Sequence, residues 1–561
     1  MKISEYLVQK LIEYEVTDVF GIPGGVVLDF IYALDKSEKI NVHLNFHEQA
    51  AAYAACGYAQ SSGKLGVAYA TKGPGVTNMF TAIAEAYYDS LPVLFVTAHA
   101  QNKLNSNLRI EEEQEIDHSK LTASITKYTK RVDSISEAIQ AINVGCKEAV
   151  SGRKGPVLLD FSSKVLKSDI EVISNEFHED NEKKDALIDA CIADIYKNLK
   201  IAKRPIILIG DGVRLSQSAK AISKVSIRHH IPILSSRCSQ DIVCRCENYF
   251  GYIGSHGLRY SNFILSKTDC IISFGNRLAF PITSKSFKPV IENAKIIQMD
   301  IDASELERNI PNATGYCVEL NPVLTKMSEE ESICHTKEWL EICKLLKKEL
   351  INYDINPGVI ALSKVIEQLK ENDIIVCDIG NNELLSSRAY AISASGKRML
   401  HSKAFKTVGS AIGKAIGAYY ATCKRVMCIV GDQGFQFNIQ ELQYIRSNCL
   451  PIIFIICNND ASEMLKDSEY RQGYHYSLHT TIDSGYSHPS FEKIAIAYGI
   501  EYTAIRELRQ FSIELLEDKP QIIELFFDES CIIQQSLPKG YPCQMFVPEI
   551  SRETYDYLNG L

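Results

Sequence analysis

The 561-residue chain has a single tryptophan, Trp339, and no excess of positive charge. Lys and Arg number 60 against 69 Asp and Glu, a net charge of −9. Without a basic stripe, nucleic acid is not an expected partner. No apolar run approaches the roughly 18 residues of a membrane span, so no membrane partner is expected. The opening stretch MKISEYLVQKLIEYEV carries Glu5, Glu13 and Glu15 and reads as an amphipathic helix, not a signal peptide. No short-period repeat or low-complexity segment is visible. A Gly-x-Gly-x-x-Gly fingerprint is missing after the first expected strand, and IGDGVRL at 209 is a poor substitute. That weakens a nucleotide-dependent oxidoreductase reading. Cysteines are plentiful, 17, but odd in number and scattered through apolar runs, as at Cys270, Cys377, Cys428 and Cys457. Reduced thiols in a cytoplasmic protein are the expectation, without a disulfide framework. Cys244 and Cys246 form a lone Cys-x-Cys, too little for a zinc site.

What is present is ordinary globular composition, 46% apolar and 23% charged, in a chain too long for one core. Two polar stretches, 174–189 and 328–356, separate three blocks of alternating strands and helices. Apolar runs mark strands at VTDVFGI, LGVAYAT, LPVLFVTA and GPVLLDF in the first block. In the second they fall at 205–210, 231–236, 270–275 and 294–302. The third has DIIVCDIG, VMCIVGDQGF, LPIIFIICNND and QIIELFFD. The fold class expected is α/β, three doubly wound parallel-sheet domains over 1–170, 185–330 and 355–545. Ligands of such sheets sit outside the carboxyl ends of the strands.

Two of those ends carry oxygen-bearing side chains, Asp432 in CIVGDQGF and Asn459 in PIIFIICNND. A carboxylate, an amide oxygen and a backbone carbonyl from the loop after Asn459 suit Mg²⁺, which fills its shell with waters and substrate phosphates. Glycines beside Asp432 allow close backbone approach to a phosphate, and a helix starting near Gln436 would favour the anion. Gly-Asp and Asn-Asn are also ordinary turn residues. Their pairing at the ends of two strands is what favours a Mg²⁺–diphosphate site.

The GDQGF…CNN arrangement resembles the signature of thiamine diphosphate (ThDP) enzymes, with Gln433 where a third glycine is usual and Gly434 after it. FGIPGG (20–25), LNFHEQAAAYAACGYAQ (44–60) and ATKGPGVTNMFTAIAEAYYDSLPVLFVTAHA (70–100) resemble the pyrimidine-binding domain of the acetolactate synthase family. The resemblance covers nearly the whole chain. It implies that Glu48 is the carboxylate activating the aminopyrimidine and that Gln114 reaches the substrate side of the thiazolium. It also keeps Lys127 at the family's distance from Gln114. Cofactor contacts are implied at Ile22, Pro23, Gly24, Pro74, Asn78, Gly380, Asn381, Asn382, Val408, Asp432, Gln433, Gly434, Asn459, Ala461, Ser462 and Met464. Asp432, Asn459 and the Ala461 carbonyl are the implied metal ligands. Val408 stands where a larger apolar residue wedges under the cofactor.

The family resemblance further implies a homodimer or homotetramer with active sites shared between chains. In the middle block GYIGSHGLRYSNFIL (251–265), FGNRL (274–278) and MDID (299–302) match the family's FAD region, a match that a domain without flavin also shows. Three departures bear on substrate. Glu113 replaces a phenylalanine, Ser468 a tryptophan of the acceptor pocket, and Lys72 a small serine. The leading expectation is a carboligase that decarboxylates a 2-oxo acid such as pyruvate and transfers the two-carbon unit to a carbonyl acceptor. A second pyruvate or a keto-sugar nucleotide of surface polysaccharide synthesis is the acceptor to choose between. A simple decarboxylase and a non-catalytic relative are the remaining alternatives.

Overall fold

The computed structural model describes residues 1–100, 112–171, 182–332, 336–393, 395–533 and 535–561. The expected first linker lies outside the described residues up to position 181, and the helix it leads into runs Glu182–Leu199. Three six-stranded sheets form, all parallel. The first comprises β1 (Asp18–Gly21), β2 (Asn41–Leu44), β3 (Gly66–Tyr69), β4 (Val93–His99), β5 (Tyr128–Val132) and β6 (Val157–Ser162), in the order β2-β1-β3-β4-β6-β5. The central sheet comprises β7 (Pro205–Ile209), β8 (Ile233–Ser236), β9 (Tyr249–Ile253), β10 (Cys270–Phe274), β11 (Lys295–Asp300) and β12 (Ala313–Cys317), ordered β12-β11-β10-β7-β8-β9. The third comprises β13 (Ile374–Cys377), β14 (Arg398–Leu400), β15 (Val426–Gly431), β16 (Ile452–Asn458), β17 (Glu501–Ile505) and β18 (Gln521–Phe526), ordered β14-β13-β15-β16-β18-β17. The first and third sheets therefore have the same connectivity. The central sheet follows the 3-2-1-4-5-6 order of doubly wound folds.

In every sheet the strands expected from apolar runs are the inner four, and the two edge strands are the ones apolarity did not mark. Inner strands are covered by helices on both faces and are mainly apolar. Edge strands such as β5 (YTKRV) and β17 (EYTAI) are partly exposed and mix polar residues in. β9 is buried, but it holds Gly251 at φ +79° and a register irregularity against β8, which disguise it.

The chain forms two compact units. One contains Met1–Glu176, Asn372–Glu383 and Arg398–Phe527, and so the first and third sheets. The other contains Phe177–Glu371, Leu384–Lys397 and Asp528–Leu561, and so the central sheet. Within the first unit the alanine-rich helix Glu48–Ser62 packs on the helix Ala411–Thr422, in one continuous apolar core. Small residues make this crossing close. A side chain at Gly417 would run into the Ala54 carbonyl, and one at Gly57 into the Lys414 carbonyl. Beside the crossing, Lys414 and Glu85 form an ion pair with both side chains buried.

Candidate cofactor site

The two strand ends of the third sheet lie side by side, because Gly431 of β15 is in register with Cys457 of β16. Asp432, next along, is only 3% exposed. Its Oδ1 accepts the Gln433 N–H at 2.8 Å, while Oδ2 is buried and makes no full hydrogen bond among the described residues. Burial pushes the carboxyl above its ordinary value, against the pull of the Tyr486 hydroxyl first and then the Gln433 N–H, His488 and the Asn459 backbone N–H. A buried carboxylate with an unmatched oxygen is costly alone and is satisfied by a cation. Asn459 spends its amide nitrogen on Glu463 Oε2 at 3.3 Å, so its amide oxygen is the end left for a ligand. Ala461 follows in a buried bridge to Thr481, and Ser462 stands at the N-cap of the helix Glu463–Arg471, with Met464 half-buried in its first turn. This donor set is all oxygen, as Mg²⁺ requires.

The helix expected near Gln436 is absent. A single 3₁₀ turn covers Gly434–Gln436, and the helix begins only at Glu441. Asn438 diverts the chain, spending its buried amide on the Gly409 carbonyl at 2.8 Å. The backbone after Asp432 thus presents a turn, without a helix dipole. The Gln433–Gly434 order also finds its reason here. Gln433 is exposed, whereas a side chain at Gly434 would collide with the Asp378 carboxylate and touch Val408 Cγ1 at 3.7 Å. Asp378 follows β13, is fully buried, and is pushed up to about 7 by burial. Its two oxygens lie 3.0 and 2.8 Å from the Gly409 nitrogen, whose N–H they accept. Asp378 thereby joins three of the expected cofactor segments. Next to it, Asn382 donates to the Asp378 carbonyl at 2.9 Å, Asn381 opens its helix, and Gly380 has φ +137°.

In the first sheet, Ile22–Gly24 leave β1 and Gly24 packs on Thr71, which follows β3. Pro74 is exposed and opens the helix Pro74–Tyr88. One turn on, Asn78 donates to Glu48 Oε2 at 2.9 Å. Glu48 is the first residue of its own helix, capped by His47, whose ring accepts the Gln49 N–H. Gln114 is exposed, with its backbone against Gly73. Lys127 is directed elsewhere, donating to the Glu148 and Ser151 carbonyls. Of the departures, Glu113 is exposed, and the Ser468 hydroxyl accepts from Gln472 on its own helix at 2.9 Å.

Within this unit the two groups of residues are linked by Glu441. It accepts the Phe46 N–H at 2.9 Å and the Asn45 amide at 3.1 Å, on the turn that leads into Glu48. Burial pushes its carboxyl up to about 7. Glu441, Asn438 and Asp378 were not singled out in the sequence. A signal existed for the first two: they share the buried stripe Asn438–Glu441–Leu442–Ile445, where polar residues are out of place.

Known proteins show the same organisation. Residues 1–121 match the N-terminal TPP binding domain of thiamine pyrophosphate enzymes, 192–327 their central domain, and 378–524 their C-terminal TPP binding domain. A probable acetolactate synthase large subunit of Methanococcus aeolicus is 31% identical over 95% of this chain and 93% of its own length. The acetolactate synthase large subunit of Lactococcus lactis is 29% identical over 96% and 94%. Acetolactate synthase isozyme 1 large subunit of Escherichia coli is 28% identical over 89% and 88%. The chain therefore belongs to the acetolactate synthase large-subunit family of thiamine pyrophosphate enzymes.

Proposed function

We propose that the chain is a ThDP- and Mg²⁺-dependent carboligase that decarboxylates pyruvate and transfers the two-carbon unit to a second 2-oxo acid. The observation that carries this reading is the buried, half-satisfied Asp432 carboxylate beside Asn459 at neighbouring strand ends. Asp432, Asn459 and the Ala461 carbonyl would hold the metal, and the turns at 380–382 and 432–434 would meet the diphosphate. Blocks 1–170 and 355–545 would serve as the pyrimidine- and diphosphate-binding domains. Bound there, ThDP supplies the electron sink that lets a 2-oxo acid lose carbon dioxide. Glu48, held by Asn78, keeps a proton at the ring nitrogen of the aminopyrimidine. Gln114 and the Lys72–Pro74 turn orient the substrate. The keto-sugar reading is not carried forward, because its two motivating residues are exposed or engaged within their own helix.

The reaction is redox-neutral and needs no flavin. The absorption spectrum of the purified protein shows directly whether FAD is bound. A cytoplasmic setting is supported by the cysteines buried as small apolar side chains within strands, as at Cys270, Cys377 and Cys428; separately, no described helix is long and apolar enough to cross a membrane. We further propose a homodimer or homotetramer with sites shared between chains, supported by the exposed apolar Leu465, Tyr470, Tyr476 and Leu478 after the metal loop. Mixing Glu48→Gln chains with Asp432→Ala chains then restores about a quarter of wild-type turnover, because half of each mixed dimer's sites are intact. No recovery means each chain uses its own two halves, which also meet within one unit.

The deciding experiment is NMR product analysis with pyruvate as sole substrate, plus ThDP and Mg²⁺. Acetolactate, or acetoin after its breakdown, is expected. Pyruvate left intact by a ThDP-bound enzyme overturns the reading.

A further inference from the structure

Behind the Lys72–Pro74 turn lies a line of side chains, buried from His118 to His99 and ending at the exposed Asp133, to which the proposed reaction assigns no part. His118 is fully buried, and its Nε2 accepts the Gly73 N–H at 2.9 Å. Its Nδ1 lies 2.9 Å from Asp160 Oδ2. Asp160 Oδ1 lies 2.9 Å from His99 Nδ1, and His99 Nε2 lies 2.9 Å from Asp133 Oδ1. His99 ends β4, Asp160 is on the adjacent β6, and Asp133 follows β5. The line thus runs along the ligand-side edge of the first sheet.

Geometry determines where the protons are. A backbone N–H can only donate, so His118 Nε2 carries no proton and Nδ1 donates to Asp160. Both nitrogens of His99 lie within hydrogen-bond distance of carboxylate oxygens. Burial opposes the charge on Asp160, but the hydrogen bonds from His118 and His99 more than offset it and hold its carboxyl below the ordinary value. His118 is therefore locked in one tautomer by an anion that stays charged.

What His118 grips is the tightest point of the turn. Gly73 has φ +64° and ψ −115°, a backbone state that favours glycine. A Cβ there would lie 2.8 Å from both the Cβ and the carbonyl oxygen of Gln114. One ring thus ties both sides of this contact, Gly73 by hydrogen bond and Gln114 through the short segment leading to His118. Pro74 then opens the helix whose Asn78 holds Glu48.

We propose that His118, kept as its Nδ1–H tautomer by Asp160, is a positioning residue that sets the Gly73 turn against Gln114 and thereby the geometry between Gln114 and Glu48. Its kinetic consequence rests on the carboligase reading; its geometry does not. In the holoenzyme, His118→Leu is expected to lower kcat by about ten- to a hundredfold, with pyruvate KM and ThDP Kd moving less than about threefold. His118→Gln, whose side-chain carbonyl can accept the Gly73 N–H, recovers most of that loss. Asp160→Asn removes the anion that holds the tautomer and is expected to lower kcat in the same direction as His118→Leu, with faster Gly73 amide exchange to the extent that the ring proton moves to Nε2. Equal losses in the leucine and glutamine variants, or an unchanged kcat in His118→Leu, overturn the proposal. Nitrogen-15 NMR of labelled histidines reads the tautomer in wild-type protein without any turnover, and an Nε2–H ring at His118 equally overturns it. A wild-type enzyme inactive on pyruvate sinks the carboligase reading alone. His118 is then judged by that spectrum and by Gly73 amide exchange, which His118→Leu accelerates if the bond exists and leaves unchanged if it does not.

Discussion

The first and third sheets share one strand order but furnish their carboxyl edges in opposite ways. At the edge of the first, both oxygens of the buried Asp160 accept from histidines. At the edge of the third, the buried Asp432 keeps an oxygen that meets no full hydrogen bond among the described residues, with the Tyr486 hydroxyl its nearby donor. A satisfied buried carboxylate orders its neighbours, whereas one left half-satisfied is stable only with a ligand. On the proposed function, the same connectivity thus supplies one half that would position groups and an open half that would take up charge.

Removing the open half's anion should have the largest effect. Asp432→Ala is expected to abolish Mg²⁺-dependent ThDP binding in calorimetry, and an unchanged affinity would refute its metal role. The matching change in the first sheet, Glu48→Gln, should instead leave cofactor affinity near wild type and cut turnover by roughly 10²–10⁴-fold. Wild-type rates in that variant, or loss of ThDP binding, would erase the contrast between the halves.

Next in size is the packing between the two halves. Burial opposes the Lys414 charge, and the Glu85 and Asp89 carboxylates overcome it and keep the amine protonated. Lys414→Met strands Glu85 in the core and should cost about 3–5 kcal/mol in denaturant unfolding, with much of it regained by adding Glu85→Leu. A pair whose double variant is no better than the single would not be coupled in this way.

The smallest expected effect is a slope. Glu441 and Asp378 are raised to about 7 from ordinary values of 4.5 and 3.8, so the folded chain holds these protons more tightly than the unfolded one. Protonation therefore favours folding: their contribution is greatest below those ordinary values and is lost as pH rises through about 7. Glu441→Gln should flatten the decline of Tm across that window, and an unaltered slope would mean the carboxyl titrates normally.

Much of this was legible from sequence because each signal was local. Asp432, Asn459 and Glu48 sit beside the apolar runs or motif residues that mark them. Edge strands such as β5 and β17 were not legible, since a strand half open to solvent has no need to be apolar. Glu441 acts on a turn nearly four hundred residues away in the chain. His118 looks like any polar residue near a helix start until the fold brings Gly73 and Asp160 to its two nitrogens.

The sequence by itself determined the inner strands, the order of the blocks and which oxygen-bearing residues stand at two strand ends, because burial on both faces demands apolar runs that stop where polar residues begin. Only the tertiary structure decided that the helix expected after Asp432 is a turn, that Gly434 makes room for Asp378, and which nitrogen of His118 carries its proton. Those outcomes depend on hydrogen-bond partners distant in the chain, and no local pattern encodes a partner that only folding brings within 3 Å.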